Sequence, residues 1–321
     1  MSEGRSSASG ERTGSGRAHA KSILLGEHSV VYGTPAIAVP LHALDLTVHA
    51  RERADEKIIL RSELYTGTAE DAPQRLHPLV TAVHAALAMT STAPRGLEVS
   101  VESDIPYERG LGSSAAVAAG IARAIGDLTS TPLGDEAVHD VVMAAETIAH
   151  GRSSGLDGRT VASEVPIRFH AGAITPVPVG APAVLVLADS GHAGSTAESV
   201  GAVRDLRATF PSRVDGLIAR LGEIVDESLG HFASGDLGAL GALMDEAHAL
   251  LVELEVSDAS LDRLVDAARS AGALGAKVTG GGRGGCVLAL APDAARAGDL
   301  ETTLRAAGAT RTWQTTVERT A

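Results

Sequence analysis

Apolar and polar positions along this chain recur with two different periods, and the switches between them outline its elements. Around "LDLTVHARE", "KIILRSE" and "GLEVSVESDI" the alternation is close to two, which predicts strands. From Gln74 to Met89 the spacing is helical. After "GLGSS", residues Val117, Ile121, Ala124, Ile125 and Leu128 fall on one face of a helix packed on those strands. A second helix follows Asp135, with Val138, Val141, Val142, Ala145, Ile148 and Ala149 as its apolar stripe. Further on, "AVLVLADSG" reads as a buried strand and several helices run from Thr196 to Ala271. "AKVTGGGRGGCVLALA" reads as a glycine-linked strand pair, and a last helix and the strand-like "TRTWQTTVE" close the chain.

The ends and joints follow from where this pattern fails. Residues 1–16, "MSEGRSSASGERTGSG", are rich in glycine and serine and lack periodicity, so they read as a disordered tail. Order is expected from "AHAKSILLGEHSVVYGTPAIAVPL", an apolar stretch interrupted by Gly26 and Gly33. The Pro/Gly-rich region from Val177 to Pro182 is the expected domain boundary, giving an N-terminal domain over 17–180 and a C-terminal domain over 181–321. No internal repeat is visible.

Composition narrows the field. A chain of 321 residues that is 44% hydrophobic can bury a substantial core, most naturally in two domains. A formal charge of −13, without any basic run, argues against a nucleic-acid partner. Aromatic residues make up only 2%, which disfavours base-stacking platforms. A single cysteine, Cys286, rules out a disulfide framework and a cysteine-rich zinc site, and reads as a small buried hydrophobe. No signal-peptide core or membrane-length apolar run is seen, so a cytoplasmic protein without membrane partners is expected.

The candidate chemistry is centred on glycine. In "PYERGLGSSAAVAAG" a glycine bend leads directly into a helix, whose first amides and dipole suit an anion such as phosphate; Ser113 or Ser114 acting only as an N-cap is the plain alternative. Gly112 stands where a P-loop needs lysine, and the dinucleotide fingerprint is absent. Phosphoryl transfer through such a loop needs a magnesium anchor, a cation and a group for the attacking hydroxyl. Lys21, Glu146 and Asp157 are candidates, although singly they read as a strand-end lysine, a surface carboxylate and a turn-forming aspartate. "TGGGRGG" reads either as a second anion-binding nest or as a flexible hairpin.

Taken in order, "KSILLGEHSVVYGTPAIAVPL", "PYERGLGSSAAVAAG" and "KVTGGGRGGCVLAL" resemble the three motifs of the GHMP small-molecule kinases, and among these the bacterial form of the mevalonate kinases. The resemblance extends from Arg17 to the last strand. It implies an α+β, two-domain GHMP kinase fold, with a left-handed β-α-β unit in the N-terminal domain and a ferredoxin-like C-terminal domain. Such left-handed crossovers are rare. It also implies that ATP and mevalonate are the substrates, bound in a cleft between the domains. The primary hydroxyl of mevalonate attacks the γ-phosphorus directly, with Mg²⁺ as cofactor.

The family pattern "HGxxSGxD" stands here as "HGRSSGLD", which implies Asp157 as the residue that orients or deprotonates the hydroxyl. The family lysine falls on Lys21, a cation suited to a developing alkoxide and the transferring phosphoryl group. Ser114 and Glu146 correspond to the magnesium ligands, and Glu27 and His28 to residues lining the mevalonate site. Arg109, Gly110, Leu111, Gly112, Ser113, Ser114 and Ala115 correspond to the ATP loop. Gly280, Gly281, Gly282 and Gly284 correspond to the supporting loop beside the phosphates. A homodimer is compatible with the resemblance, although the sequence is silent on oligomeric state.

The departures are local. Glu108 replaces a glycine of the second motif, so the approach to the loop is expected to differ, with Arg109 compensating near the nucleotide phosphates. Gly191 and Gly194 stand where eukaryotic relatives carry basic residues, and Arg283 interrupts the third loop. The rival readings are another GHMP kinase, such as a phosphomevalonate kinase, and a catalytically silent metabolite-binding relative.

Overall fold

The structure, a computed structural model, describes residues 12–90, 94–150 and 154–320. Their contacts divide into two compact units. The first takes the described residues of Met1–Ala18, Leu46–Ser103 and Val117–Gly151; the second takes His19–Asp45, Asp104–Ala116 and those of Arg152–Ala321.

In the first unit, β1 (Thr13–Leu25) supplies its beginning and β2 (Ala36–Arg53) its second half. That half of β2 runs antiparallel to β5 (Gly96–Ser103), in the register Leu46↔Ser103 to Arg53↔Gly96. β5 lies parallel to β3 (Ile58–Ser62), which forms a hairpin with β4 (Tyr65–Thr68). The parallel connection passes through β4 and α1 (His77–Ala88), and α1 packs against α3 (Asp135–His150). The expected stripes of α2 (Ser113–Leu128) and α3 are buried at Ile121, Ala124, Ile125, Leu128, Val138, Val141, Val142 and Ala145. Ile148 and Ala149 are exceptions and are exposed, and Val117 is half-buried.

The expected tail behaves differently from its composition. Residues 1–11 lie outside the described residues, but 13–16 are part of β1. A Cβ on Gly14 would stand 2.3 Å from the Leu128 backbone nitrogen, and one on Gly16 would stand 2.2 Å from the Gly120 carbonyl oxygen. These glycines permit close approach of strand to helix. The Ser15 amide donates to Asp127, and Arg12 pairs with Glu52.

In the second unit the first half of β2 pairs with β6 (Ile167–His170), which pairs with β7 (Ala173–Pro176). Between β2 and β6 lies the short α4 (Leu156–Val161). The remainder is a four-stranded antiparallel sheet in the order β11-β8-β10-β9, formed by β8 (Ala183–Asp189), β9 (Gly275–Thr279), β10 (Cys286–Ala291) and β11 (Arg311–Val317). Four helices, α5 (Thr196–Thr209), α6 (Pro211–Ser234), α7 (Leu237–Glu253) and α8 (Ala259–Ser270), separate β8 from β9, while α9 (Ala294–Ala306) separates β10 from β11. In chain order this is the split β-α-β arrangement of a ferredoxin-like sheet. The glycine-linked strand pair is therefore β9 and β10.

The compact units do not break at the Pro/Gly-rich stretch. Val177 and Val179 are buried, and the amides of Val177, Val179 and Gly180 donate to Pro166, Thr320 and Phe232. Proline and glycine here shape a pinned connection between β7 and β8.

Candidate active site

The first motif lies on β1, where Ile23, Leu24 and Leu25 enter the core. Lys21 is buried on the same strand, and its Nζ lies 2.8 Å from Oδ1 of Asp157. A buried ammonium requires such a counter-charge. Asp157 stands in the first turn of α4, which starts after Gly155 in the left-handed conformation (φ 85°). Leu156 fixes that turn by packing with Ile23, Ala36, Ala38, Ile167 and Phe169. The irregular backbone expected around Asp157 is therefore helical at the residue itself. Gly151–Ser153 of the same motif lie outside the described residues. Asp157 keeps 30% of its side chain exposed against 3% for Lys21, so the pair is open on the carboxylate side.

The second motif meets the first along the backbone. The Lys21 amide donates to the Leu111 carbonyl at 3.0 Å. Gly112 has φ 72°, and a Cβ there would come 2.8 Å from Cγ of Lys21, so glycine leaves room for the lysine stem. The Gly112 carbonyl accepts the Ala116 amide, and α2 begins at Ser113 with its dipole's positive end toward the glycine bend. Ser113 and Ser114 are half-buried, whereas Leu111 and Ala115 are buried. Glu108 adopts φ 55° despite having a side chain, so the chain approaches the loop in the left-handed conformation. That conformation costs on the order of 1 kcal/mol for a non-glycine residue.

The third motif closes on the other two. A Cβ on Gly280 would lie 2.8 Å from the Gly110 Cα, so the two loops touch backbone to backbone. Thr279 Oγ1 donates to the Ile23 carbonyl and lies 2.9 Å from Ser22 Oγ. His28, at φ 60°, donates from Nε2 to the Gly281 carbonyl at 2.9 Å. Burial pushes the His28 imidazole down to about 4, so the donor is a neutral ring. Glu27 pairs through Oε1 with Nζ of Lys277, and both side chains are fully buried. Burial pushes the Glu27 carboxyl up and the Lys277 ammonium down, while their mutual attraction opposes both shifts. Among the described residues, Oε2 of Glu27 has no hydrogen-bond partner. Glu27 and His28 thus tie the first motif to the third.

Other expected residues take different positions. Arg109 Nε lies 2.9 Å from a carboxylate oxygen of Asp189, at the end of β8, so the cation expected beside phosphate is engaged by a buried acid. The Gly191 amide donates to the same carboxylate. A Cβ on Gly194 would stand 2.6 Å from the Gly282 carbonyl oxygen, which explains why a basic side chain does not fit there as the backbone stands. Arg283 takes φ 53°, with its amide on Val256 and its Nε on the Glu255 carbonyl. Glu146 lies in the first unit on α3 and is buried. Cys286 is buried on β10, and burial pushes its thiol up, which suits a packing role.

Sequence reasoning passed over Lys277, Asp189, Ser22 and Thr279. Lys277 carried a legible signal, since a lone charge inside the buried strand "GAKVT" demands a partner. The other three became visible only with the fold.

Residues 79–163 match the GHMP kinases N terminal domain, and residues 228–310 match the GHMP kinases C terminal region. The mevalonate kinase of Thermococcus gammatolerans is 35% identical over 317 residues, covering 91% of this chain and 93% of that one. Among solved structures, the L. major mevalonate kinase in complex with R-mevalonate superposes with a TM-score of 0.83 at 26% identity, covering all of both chains. Mevalonate kinase from methicillin-resistant Staphylococcus aureus gives a TM-score of 0.71 at 31% identity, covering 95% of this chain and 99% of that one.

Proposed function

Since the chain belongs to the mevalonate kinase family of the GHMP kinases, we propose that it phosphorylates the primary hydroxyl of (R)-mevalonate at the expense of ATP, giving 5-phosphomevalonate and ADP. The observation that carries this reading is the Lys21–Asp157 pair, open at its carboxylate and joined through Leu111 and Gly112 to the glycine bend before α2. An alcohol held by Asp157 would present its oxygen beside a lysine cation, and the amides of the bend suit a polyphosphate. Asp157 orients the hydroxyl and takes its proton as the O–P bond forms, and Lys21 stabilises the charge developing on the oxygen and the transferring phosphoryl group. No phosphoenzyme is needed, because the acceptor attacks directly. Glu27 and His28 shape the mevalonate side from beneath, through the contacts that hold the third loop in register.

On the family resemblance we propose Ser114 and Glu146 as the Mg²⁺ ligands, a hydroxyl and a carboxylate being oxygen donors of the kind this ion prefers. When bound, the ion neutralises charge on the nucleotide phosphates. The family's N- and C-terminal regions are assigned to 17–180 and 181–321, since the matched segments fall on either side of that division. No helix among the described residues is long and apolar enough to cross a membrane; a cytoplasmic location is part of this proposal. A homodimer is compatible with this reading, and sedimentation would decide it.

A coupled ADP-release assay across mevalonate, phosphomevalonate, homoserine and galactose tests the proposal. Turnover is expected with mevalonate alone. ADP release with phosphomevalonate in its place, or mevalonate binding without any ADP, would overturn it.

A further inference from the structure

Away from the three motifs, two histidines and a glutamate converge in the second unit. His19 is on β1, His42 is on β2, and Glu164 lies in the connection from α4 to β6. One potential ligand atom from each lies within 4.8 Å of the others. The two imidazole rings stand edge to face with centroids 4.7 Å apart.

The hydrogen bonds around them fix the proton on each ring. His19 Nδ1 lies 2.8 Å from the Ala20 carbonyl oxygen, and His42 Nε2 lies 3.3 Å from the Glu164 carbonyl oxygen. A carbonyl can only accept, so each of these nitrogens is the donor. The ring atoms on the opposite edges, Nε2 of His19 and Nδ1 of His42, are the ones with metal-ligand chemistry. Nδ1 of His42 faces Oε2 of Glu164 at 3.9 Å. A divalent ion is the one species that could draw on all three groups at once, since the ligand atoms converge within 4.8 Å. Backbone carbonyls that orient metal-binding imidazoles are the usual support for such a centre.

We propose that His19, His42 and Glu164 form a binding site for a divalent transition ion of the zinc class, with remaining coordination supplied by water. Two imidazoles and a carboxylate suit Zn²⁺ and Co²⁺ and are poor ligands for Mg²⁺. His19 anchors the site from the interior, while His42 and Glu164 keep 47% and 77% of their side chains exposed and give the ion a path in from solvent. The ion would tie β1 and β2 to the connection that follows the Asp157 helix, acting as a staple rather than as the magnesium of the phosphates.

The test uses the untagged, chelator-treated full chain, titrated with Zn²⁺ by calorimetry and with Co²⁺ by visible absorption. One equivalent should bind, with a Co²⁺ d–d band, and a large excess of Mg²⁺ should leave it in place. His42→Ala and Glu164→Gln, both at exposed positions, should keep the fold and each weaken Zn²⁺ binding about tenfold or more. Absence of a stoichiometric Co²⁺ band would overturn the site, as would Zn²⁺ affinity unchanged in both variants.

Discussion

Two lysine–carboxylate pairs lie in the second unit, built from the same chemistry and put to different uses. Lys21 meets Asp157 with the aspartate 30% exposed, whereas Lys277 meets Glu27 with both side chains sealed. The lysine is buried in each case, so the difference lies in the carboxylate. An open carboxylate can exchange its contact for an incoming hydroxyl. A sealed one has no path to a ligand, and its energy goes into holding two chain segments in one register. The sealed pair and its neighbour His28 hold the first motif to the third, while the proposed chemistry falls to the open pair.

The largest effect expected from breaking this contrast is on turnover. Asp157→Asn should lower kcat by about a hundredfold or more, the usual order for a lost general base, while the denaturant midpoint stays close to that of the parent. Near-normal turnover in steady-state assays would move Asp157 to the structural side. Lys277→Met should do the reverse and destabilise the protein by about 3–5 kcal/mol, because Glu27 is left as a buried uncompensated charge. The double variant Glu27→Gln with Lys277→Met should recover much of that loss in urea unfolding. A double variant no better than the single one would mean the lysine's packing, not its charge, holds the site.

That the sealed pair was missed while the open one was found shows what a sequence can carry. The strands, the α2 and α3 stripes and the β9–β10 pair follow from local periodicity, which is a property of neighbours in the chain. The open pair was legible through motif resemblance, since Lys21 and Asp157 sit in recognisable strings. Glu27 and Lys277 are 250 positions apart, and only the fold brings them together. The same holds for Arg109, whose partner Asp189 is 80 positions away. Gly14 and Gly16 mark another limit. Composition reads glycine as freedom, but against α2 these residues serve close packing.

Between the pairs stands the contact of the second and third loops. Gly280→Ala should cost on the order of 1–3 kcal/mol, because it combines a left-handed φ of 80° with a Cβ 2.8 Å from the Gly110 backbone. Both loops would have to shift, so the KM for ATP should rise more than kcat falls. Equal loss in both would indicate general unfolding instead.

The remaining expected effect is a pH dependence on the sealed side. Burial lowers the imidazoles of His28 and His248 to about 4, and Lys277 adds its repulsion to both. Unfolding returns each toward the ordinary value of about 6.5. A depressed folded value means that the unfolded chain binds more protons as the solution is acidified. Stability is therefore fully present above pH 6.5 and is lost as pH falls from there toward 4, with each histidine adding up to about 1.4 kcal/mol per pH unit to the slope. His248 lies 3.5 Å from Asp262 and outside the three motifs, so His248→Gln removes one titrating ring without touching the proposed chemistry. Urea midpoints measured from pH 7 to pH 4 should flatten in that variant by about one proton's worth. If the slope is unchanged, the acid sensitivity belongs to other groups, and the sealed region contributes rigidity without the proton linkage assigned to it.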